Sequence, residues 1–314
     1  MNYYFAPMEG LTDSIYRQVH YTYFPGISSY YMPFLSPTMH RTLTQRERRE
    51  LPPADNTPFR AVPQILTRVS GDFLWAAQQC AMLGYNEVNL NLGCPSGTVT
   101  AKGKGAGMLQ DPDGLDRFLG EIFSASPLPI SVKTRLGFTS AEEFPRLVEI
   151  FNRYPIKELT LHPRVRNDFY SGDVNMDCFC YLLKQAHMPV CYNGNISSLE
   201  QISRFQDAFP QVGSLMIGRG LIGDPGMLTP GGTTVSVLEN FMQTLLEEYC
   251  IAFGSPRNAM FRLKENWRHL LCRFENSEKL GKQLRKTTNI QQYQAIVNEI
   301  FHSLPLKDAL QPDW

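Results

Sequence analysis

Eight short apolar segments recur along this chain, and each is followed by a stretch with helical apolar spacing. They occupy 3–8, 27–32, 59–66, 87–92, 130–135, 158–162, 190–193 and 214–217. Several of the intervening stretches open on residues that start helices: Thr12 and Asp13, Ser70-Gly71-Asp72, Asp111-Pro112-Asp113, Thr139 and Ser140 ahead of Glu142-Glu143, and Ser197 and Ser198 ahead of Glu200-Gln201. Their side chains accept from the unpaired N–H groups of a first turn, and acids there meet the positive end of the helix dipole. Alternation of strand and helix means parallel pairing, because a parallel neighbour is reached only by a crossover. Eight such units fit an α/β fold of the (β/α)8 TIM-barrel kind, which takes about 250 residues. An open doubly wound sheet is the alternative. The first strand lacks a G-x-G-x-x-G turn, which counts against a dinucleotide-binding version of it.

The alternation stops after Ile222. Gly223-Asp224-Pro225-Gly226 and Thr229-Pro230-Gly231-Gly232 punctuate the chain. Beyond Thr234 apolar residues recur at helical spacing, as in Val237, Phe241, Leu245 and Leu246, then Met260, Leu263, Trp267 and Leu271. The expected organisation is a catalytic barrel over 1–232 followed by a small all-helical C-terminal domain over 233–314. With 43% apolar and 19% charged residues the chain is globular rather than disordered. No apolar run is long enough to span a bilayer, no basic leader precedes the first strand, and the seven scattered cysteines form no C-x-x-C pair. A reduced cytoplasmic protein, off the membrane, with no structural metal and monomeric, is expected. The connection 33–58 carries Arg41, Arg46, Arg48 and Arg49 against Glu47 and Glu50 without a strand pattern. It reads as a lid, a binding segment or a mobile loop.

In this fold the C-terminal strand ends form the active face. The fourth segment runs through Asn89-Leu90-Asn91-Leu92 to Gly93, then delivers Cys94, which Pro95 restricts to extended geometry. The thiol is either held for chemistry or is one of seven packing cysteines. The glycine-rich stretch 102–107 reads as a mobile basic flap. The third segment brings Gln64, the fifth Lys133 and Arg135, and the sixth ends in His162-Pro163-Arg164. Asn193-Gly194-Asn195 and Gly218-Arg219-Gly220 end the seventh and eighth, the usual phosphate-binding place of such barrels. Lys133 inside a barrel needs an anion or an electron-rich ring, or a structural ion pair, because an unpaired buried charge is expensive. A phosphate site, a lysine, a glutamine and a cysteine at one barrel mouth fit a flavin mononucleotide pocket. A cysteine suits proton donation there, since an unperturbed thiol, with a pKa of about 8.5, is protonated at neutral pH.

The chain resembles the tRNA-dihydrouridine synthases. The matching motifs are Ala6-Pro7-Met8-Glu9-Gly10 with Thr12-Asp13, Val62-Pro63-Gln64-Ile65, Asn91-Leu92-Gly93-Cys94-Pro95, Val132-Lys133-Thr134-Arg135-Leu136-Gly137, Leu161-His162-Pro163-Arg164, Asn193-Gly194-Asn195-Ile196 and Met216-Ile217-Gly218-Arg219-Gly220. The resemblance implies an FMN-dependent, NADPH-driven reduction of a uridine in tRNA to 5,6-dihydrouridine. It implies Cys94 as proton donor and Pro7, Met8 and Glu9 lining the flavin. Gln64, Lys133 and His162 would contact the ring system, and Asn193, Gly194, Asn195, Gly218 and Arg219 the ribityl phosphate. Asn91 and Arg135 would contact the uracil. Asn195 stands where the family often has an acid, and Pro163 where it has glycine.

Support for RNA comes from nine basic residues against three acids over 257–286: Arg257, Arg262, Lys264, Arg268, Arg273, Lys279, Lys282, Arg285 and Lys286. Arg257, Lys264 and Arg268 share a helical face, with Trp267 adjacent. Such a patch suits a phosphate backbone, or is a solvated helix surface. A small-molecule pyrimidine reductase would share the barrel and the thiol but not require the basic tail. A non-catalytic RNA-binding protein would not require Cys94 and Lys133.

Overall fold

The structure, a computed structural model, describes residues 1–310. Its strands are β1 (Asn2–Phe5), β2 (Ser29–Tyr31), β3 (Ala61–Val62), β4 (Gln64–Ile65), β5 (Val88–Leu92), β6 (Ile130–Arg135), β7 (Leu159–His162), β8 (Val190–Tyr192) and β9 (Ser214–Ile217). Each of the eight expected segments meets a strand, β1 starting one residue before its segment and the third segment holding two strands divided at Pro63. The sheet runs β3-β2-β1-β9-β8-β7-β6-β5-β4, with parallel pairing throughout the registers observed. Its two ends, β3 and β4, are separated in sequence by Pro63 alone, so the sheet closes on itself as an eight-stranded barrel. Proline has no N–H to give a ladder, and the break is confined to that residue. Its carbonyl still accepts from Asn89 N at 2.8 Å.

The residues fall into two compact units. The first comprises 1–7, 28–195 and 209–216. Register sets Gln64, Asn89 and Ser131 side by side in one barrel layer, and Asn91, Lys133, Thr160, Cys191 and Ser214 in the next. An apolar cluster of Tyr4, Ala6, Tyr31, Val62, Cys191 and Met216 is buried in the same unit. Of the expected helix starts, Asp111 caps by accepting from Gly114 N at 2.9 Å, and Ser140 and Glu143 form a reciprocal box, whereas Ser70–Met82 begins without a side-chain cap and the Ser70 hydroxyl bonds Glu121. The connection 33–58 holds a six-residue helix, Gln45–Glu50, with a capping box from Thr44. It is tied down by Leu35, whose N–H donates to Gln64 O and whose carbonyl accepts from Leu66 N, both at 2.8 Å.

The second unit comprises 8–27, 196–208 and 217 onward. Its helices include Ser14–Tyr23, Leu199–Ala208, Val235–Phe253, Pro256–Leu270, Glu278–Lys286 and Ile290–Ser303. Asp13 caps the first, accepting from Tyr16 N at 3.1 Å. Phe241 on Val235–Phe253 meets the rings of Tyr16, His20 and Phe24 on and after Ser14–Tyr23. Packing in this unit therefore runs across the 232/233 change of sequence pattern. Trp267 is wholly buried, donates its indole N–H to the Tyr293 hydroxyl at 2.9 Å, and lies against Phe274 and Phe301. No helix among the described residues is long and apolar enough to cross a membrane.

Candidate active site

In the first unit, the β5 end is held by one amide. Asn91 Oδ1 accepts from Gly93 N at 3.0 Å and Cys94 N at 2.9 Å, while its Nδ2 donates to Gln64 Oε1 at 2.7 Å. Gln64 Nε2 donates to Asn89 Oδ1 at 2.7 Å, and Asn89 Nδ2 to Ser131 Oγ at 3.0 Å. This chain orients each amide and leaves Gln64 one further N–H to offer. Cys94 itself is half-buried.

The stretch expected to be a mobile basic flap is instead packed beneath the thiol. Gly105–Gln110 forms a 3-10 turn in which Gly105 to Leu109 are buried, and Ala106 N donates to Cys94 O at 3.2 Å. Gly105 has φ +56°, and a Cβ there would lie 3.0 Å from both Cβ and O of Cys94. Only glycine accepts that backbone at that approach. Lys104 donates to Ser36 Oγ at 3.2 Å.

Lys133 is half-buried beside Asn91 in register. Loss of water, reinforced by the neighbouring Arg135 guanidinium, lowers its pKa to about 7. No hydrogen-bond or ion-pair partner for its ammonium is found among the described residues, so the structural ion pair is not what holds it. Arg135, expected at the uracil, is 1% exposed. It donates to Gly93 O at 2.9 Å and Val165 O at 3.0 Å, and its guanidinium lies 5.2 Å from the Tyr170 ring centroid. Here it braces the Cys94 loop from below. Asn91, also expected at the uracil, has its carbonyl oxygen committed to the same loop.

At the β7 end, Arg164 Nη1 lies 2.8 Å from His162 Nε2. A guanidinium only donates, so Nε2 accepts and Nδ1 carries the imidazole proton. Arg164 also donates to Ser171 O, Gly172 O and, at 3.2 Å, Asn195 Oδ1. The amide at 195 thus performs the accepting part of an acid. Asn193 is buried and donates to Met216 O at 2.8 Å. A Cβ on Gly194 would strike the Tyr192 hydroxyl, so glycine there serves side-chain packing as well as the turn. Tyr170 went unnoticed in the sequence. It is half exposed, and its ring faces both Arg135 and His162.

Pro7 follows β1 in the first unit. Met8, Glu9, Gly218 and Arg219 belong to the second. There Met8 O accepts from Leu11 N and Thr12 N, both at 3.0 Å, and Glu9 is exposed. Gly220 follows Gly218 and Arg219, and a Cβ on it would overlap Ile196 O, so the loops after β8 and β9 touch backbone to backbone. Ser197 N, expected at a helix start, is taken by Gln201 Oε1 at 2.7 Å, and the helix begins at Leu199.

Residues 4–306 match the family model described as dihydrouridine synthase (Dus). The chain belongs to the dihydrouridine synthase family. It is 26% identical over 248 residues to tRNA-dihydrouridine synthase B of Pasteurella multocida, covering 79% of this chain and 74% of that one. Against tRNA-dihydrouridine synthase B of Serratia marcescens it is 30% identical over 223 residues, 70% and 65% of the two lengths. Against the tRNA-dihydrouridine(16) synthase of Shigella flexneri it is 28% identical over 235 residues, 71% and 72%. Among solved structures, morphinone reductase aligns with TM-score 0.51 at 12% identity over 74% of this chain and 86% of that one, a likeness of fold. No group of three or more residues suited to a metal occurs among the described residues of this family member.

Proposed function

We propose that this dihydrouridine synthase family member reduces the C5–C6 double bond of a uridine in tRNA, with FMN as cofactor, NADPH as reductant and Cys94 as proton donor. The observation that carries the reading is the pairing of a clamped, half-buried Cys94 with a desolvated Lys133 that lacks an anionic partner. A lysine in that state fits a ring whose carbonyl edge accepts a hydrogen bond. The spare N–H of Gln64 and the Nδ1–H tautomer of His162 make a donor set of the same character. When bound, FMN reduced by NADPH supplies a hydride to C6 of the uracil.

The chain's own work is to hold and deliver. Lys133, Gln64 and His162 orient the ring system. Pro7, Met8 and Glu9 line it, and Asn193, Gly194, Asn195, Gly218 and Arg219 take the ribityl phosphate. Cys94 Sγ gives its proton to C5, completing addition of two hydrogens. Asn91 and Arg135 keep the Cys94 loop still, beyond any contact with the uracil. The base must leave its stack to be reached, which costs least in a loop of the RNA.

RNA is favoured over a free pyrimidine by the cations that stay outward: Arg257, Arg268, Lys279, Lys282, Arg285 and Lys286 are all exposed. Phe261, not Trp267, shares the face of Arg257 and Lys264, both within cation–π distance of its ring. Trp267 points to the core because it lies with Met260, Leu263 and Leu270 on the buried face. A tRNA substrate also places the reaction in the cytoplasm, away from membranes, and one chain carries every residue named.

The test is to load the protein with FMN, reduce it without oxygen, and add unmodified tRNA. Rapid return of the oxidised spectrum with tRNA, and not with free uracil, is expected. Cys94→Ala should keep FMN and tRNA binding and lose most turnover, at least ~100-fold, on removal of the acid. Turnover by Cys94→Ala at the wild-type rate would show that another group delivers the proton.

A further inference from the structure

We propose that Arg262 is a positioning residue for the cofactor-side turn Met8-Glu9-Gly10, and not one of the RNA-phosphate contacts among which its sequence neighbours group it. The inference rests on the FMN reading above. Arg262 Nη1 donates to Gly10 O at 2.6 Å, and its Nε lies 3.6 Å from Asp13 Oδ2. The other carboxylate oxygen, Asp13 Oδ1, accepts from the Tyr249 hydroxyl at 2.7 Å and from Tyr16 N. Asp13 thus collects donors from three helices: its own, Val235–Phe253 and Pro256–Leu270.

The turn itself is bonded internally. Met8 N donates to Thr12 Oγ1 at 2.9 Å, and Arg17 Nη1 to Thr12 O at 2.8 Å. Gly10 stands at φ +77°, and its carbonyl turns out to meet Arg262. Arg262 therefore fixes the direction of the peptide that follows Met8 and Glu9. A guanidinium is suited to this because its planar fork reaches a carbonyl and a carboxylate at once, where an ammonium is a point charge. A phosphate contact would keep its head in water. This head is spent on two oxygens of the chain and lies 6.0 Å over the Phe253 ring. Lys264, donating to Thr287 O at 2.8 Å, and Arg273, beside Asp224 at 3.4 Å, are also turned inward. The outward residues of the same helix, Arg257, Phe261 and Arg268, remain for RNA.

The experiment compares wild type, Arg262→Gln and Arg262→Lys, each loaded with FMN. FMN dissociation is followed by recovery of flavin fluorescence, and tRNA affinity is measured across a salt series. Arg262→Gln should release FMN about tenfold faster, the equivalent of one charge-assisted hydrogen bond, with Arg262→Lys in between. The slope of tRNA affinity against salt should not change. Unchanged FMN release overturns the proposal, as does a salt slope lowered by about one with flavin unaffected, the mark of a lost phosphate contact. Should Arg262→Gln fail to fold, Arg262→Lys decides: it keeps a cation for Asp13 but lacks the planar fork that reaches Gly10 O at the same time, so faster FMN release supports the proposal and an unchanged rate overturns it. A wild-type chain that takes up no FMN overturns the FMN reading itself, whereas normal uptake with no difference among variants overturns only the role of Arg262.

Discussion

Lys133 and Cys94 show how much a single side chain owes to its surroundings. Burial has brought the lysine's pKa from its ordinary value near 10.4 to about 7. Between those values the unfolded chain binds the extra proton and the folded one does not, so the cofactor-free protein gains stability as pH rises from 7 to about 10, and bears the full cost of a desolvated cation at pH 7 and below. A ligand that accepts a hydrogen bond from the ammonium favours the charged form. FMN binding above pH 7 must then take up a proton, and its affinity should fall by up to ~10-fold per pH unit toward pH 9. Fluorescence quenching titrations from pH 6.5 to 9 read this directly. Lys133→Arg, always charged, should flatten the profile; an identical slope in both proteins would remove Lys133 as the cause.

The element that governs Cys94 is the segment from Gly93 to Gln110. Sequence made 102–107 within it a mobile basic flap, because glycine and lysine in alternation carry no apolar pattern. The structure makes it a packed turn, because positive φ at Gly105 lets the chain fold back onto the Cys94 backbone. Gly105→Ala should therefore cost ~1–3 kcal/mol and shift the alkylation rate of Cys94 several-fold. Gly172 is a control, with φ +71° and nothing within 4 Å of the place a Cβ would take. Gly172→Ala carries the backbone penalty alone and should leave Cys94 alkylation unchanged. Equal alkylation in both variants would mean that contact with Gly105 does not place the thiol.

At the scale of the whole molecule, a buried imidazole in the second unit makes stability sensitive to acid. His20 is fully buried, and its Nε2–H donates to Pro225 O at 3.0 Å. Burial lowers its pKa to about 3. The unfolded chain protonates this residue near pH 6.5 and the folded one does not, so its contribution is whole above pH 6.5 and is lost as pH falls toward 3. The loss is ~5 kcal/mol at most. His20→Gln keeps an N–H for Pro225 and does not titrate. Its denaturation midpoint should be lower at pH 7 but fall less between pH 6.5 and 4. A wild-type curve no steeper than the variant's would assign the acid sensitivity elsewhere.

Sequence alone determined the barrel and the helical tail, because period-two and period-3.6 patterns, caps and prolines act within a few residues of themselves. It also put Cys94 just past the end of a strand and Gln64 and Lys133 on strands of the barrel. Tertiary structure decided what each polar group does. Asn91 and Arg135, read from sequence as uracil contacts, are seen only in the structure to hold the Cys94 loop as well, through hydrogen bonds to Gly93, Cys94 and Val165. Arg262 and Arg273 look like RNA contacts until Gly10 and Asp224 are found against them. A side chain's type states which bonds it can make, while the partner that satisfies it is brought from tens or hundreds of residues away by packing.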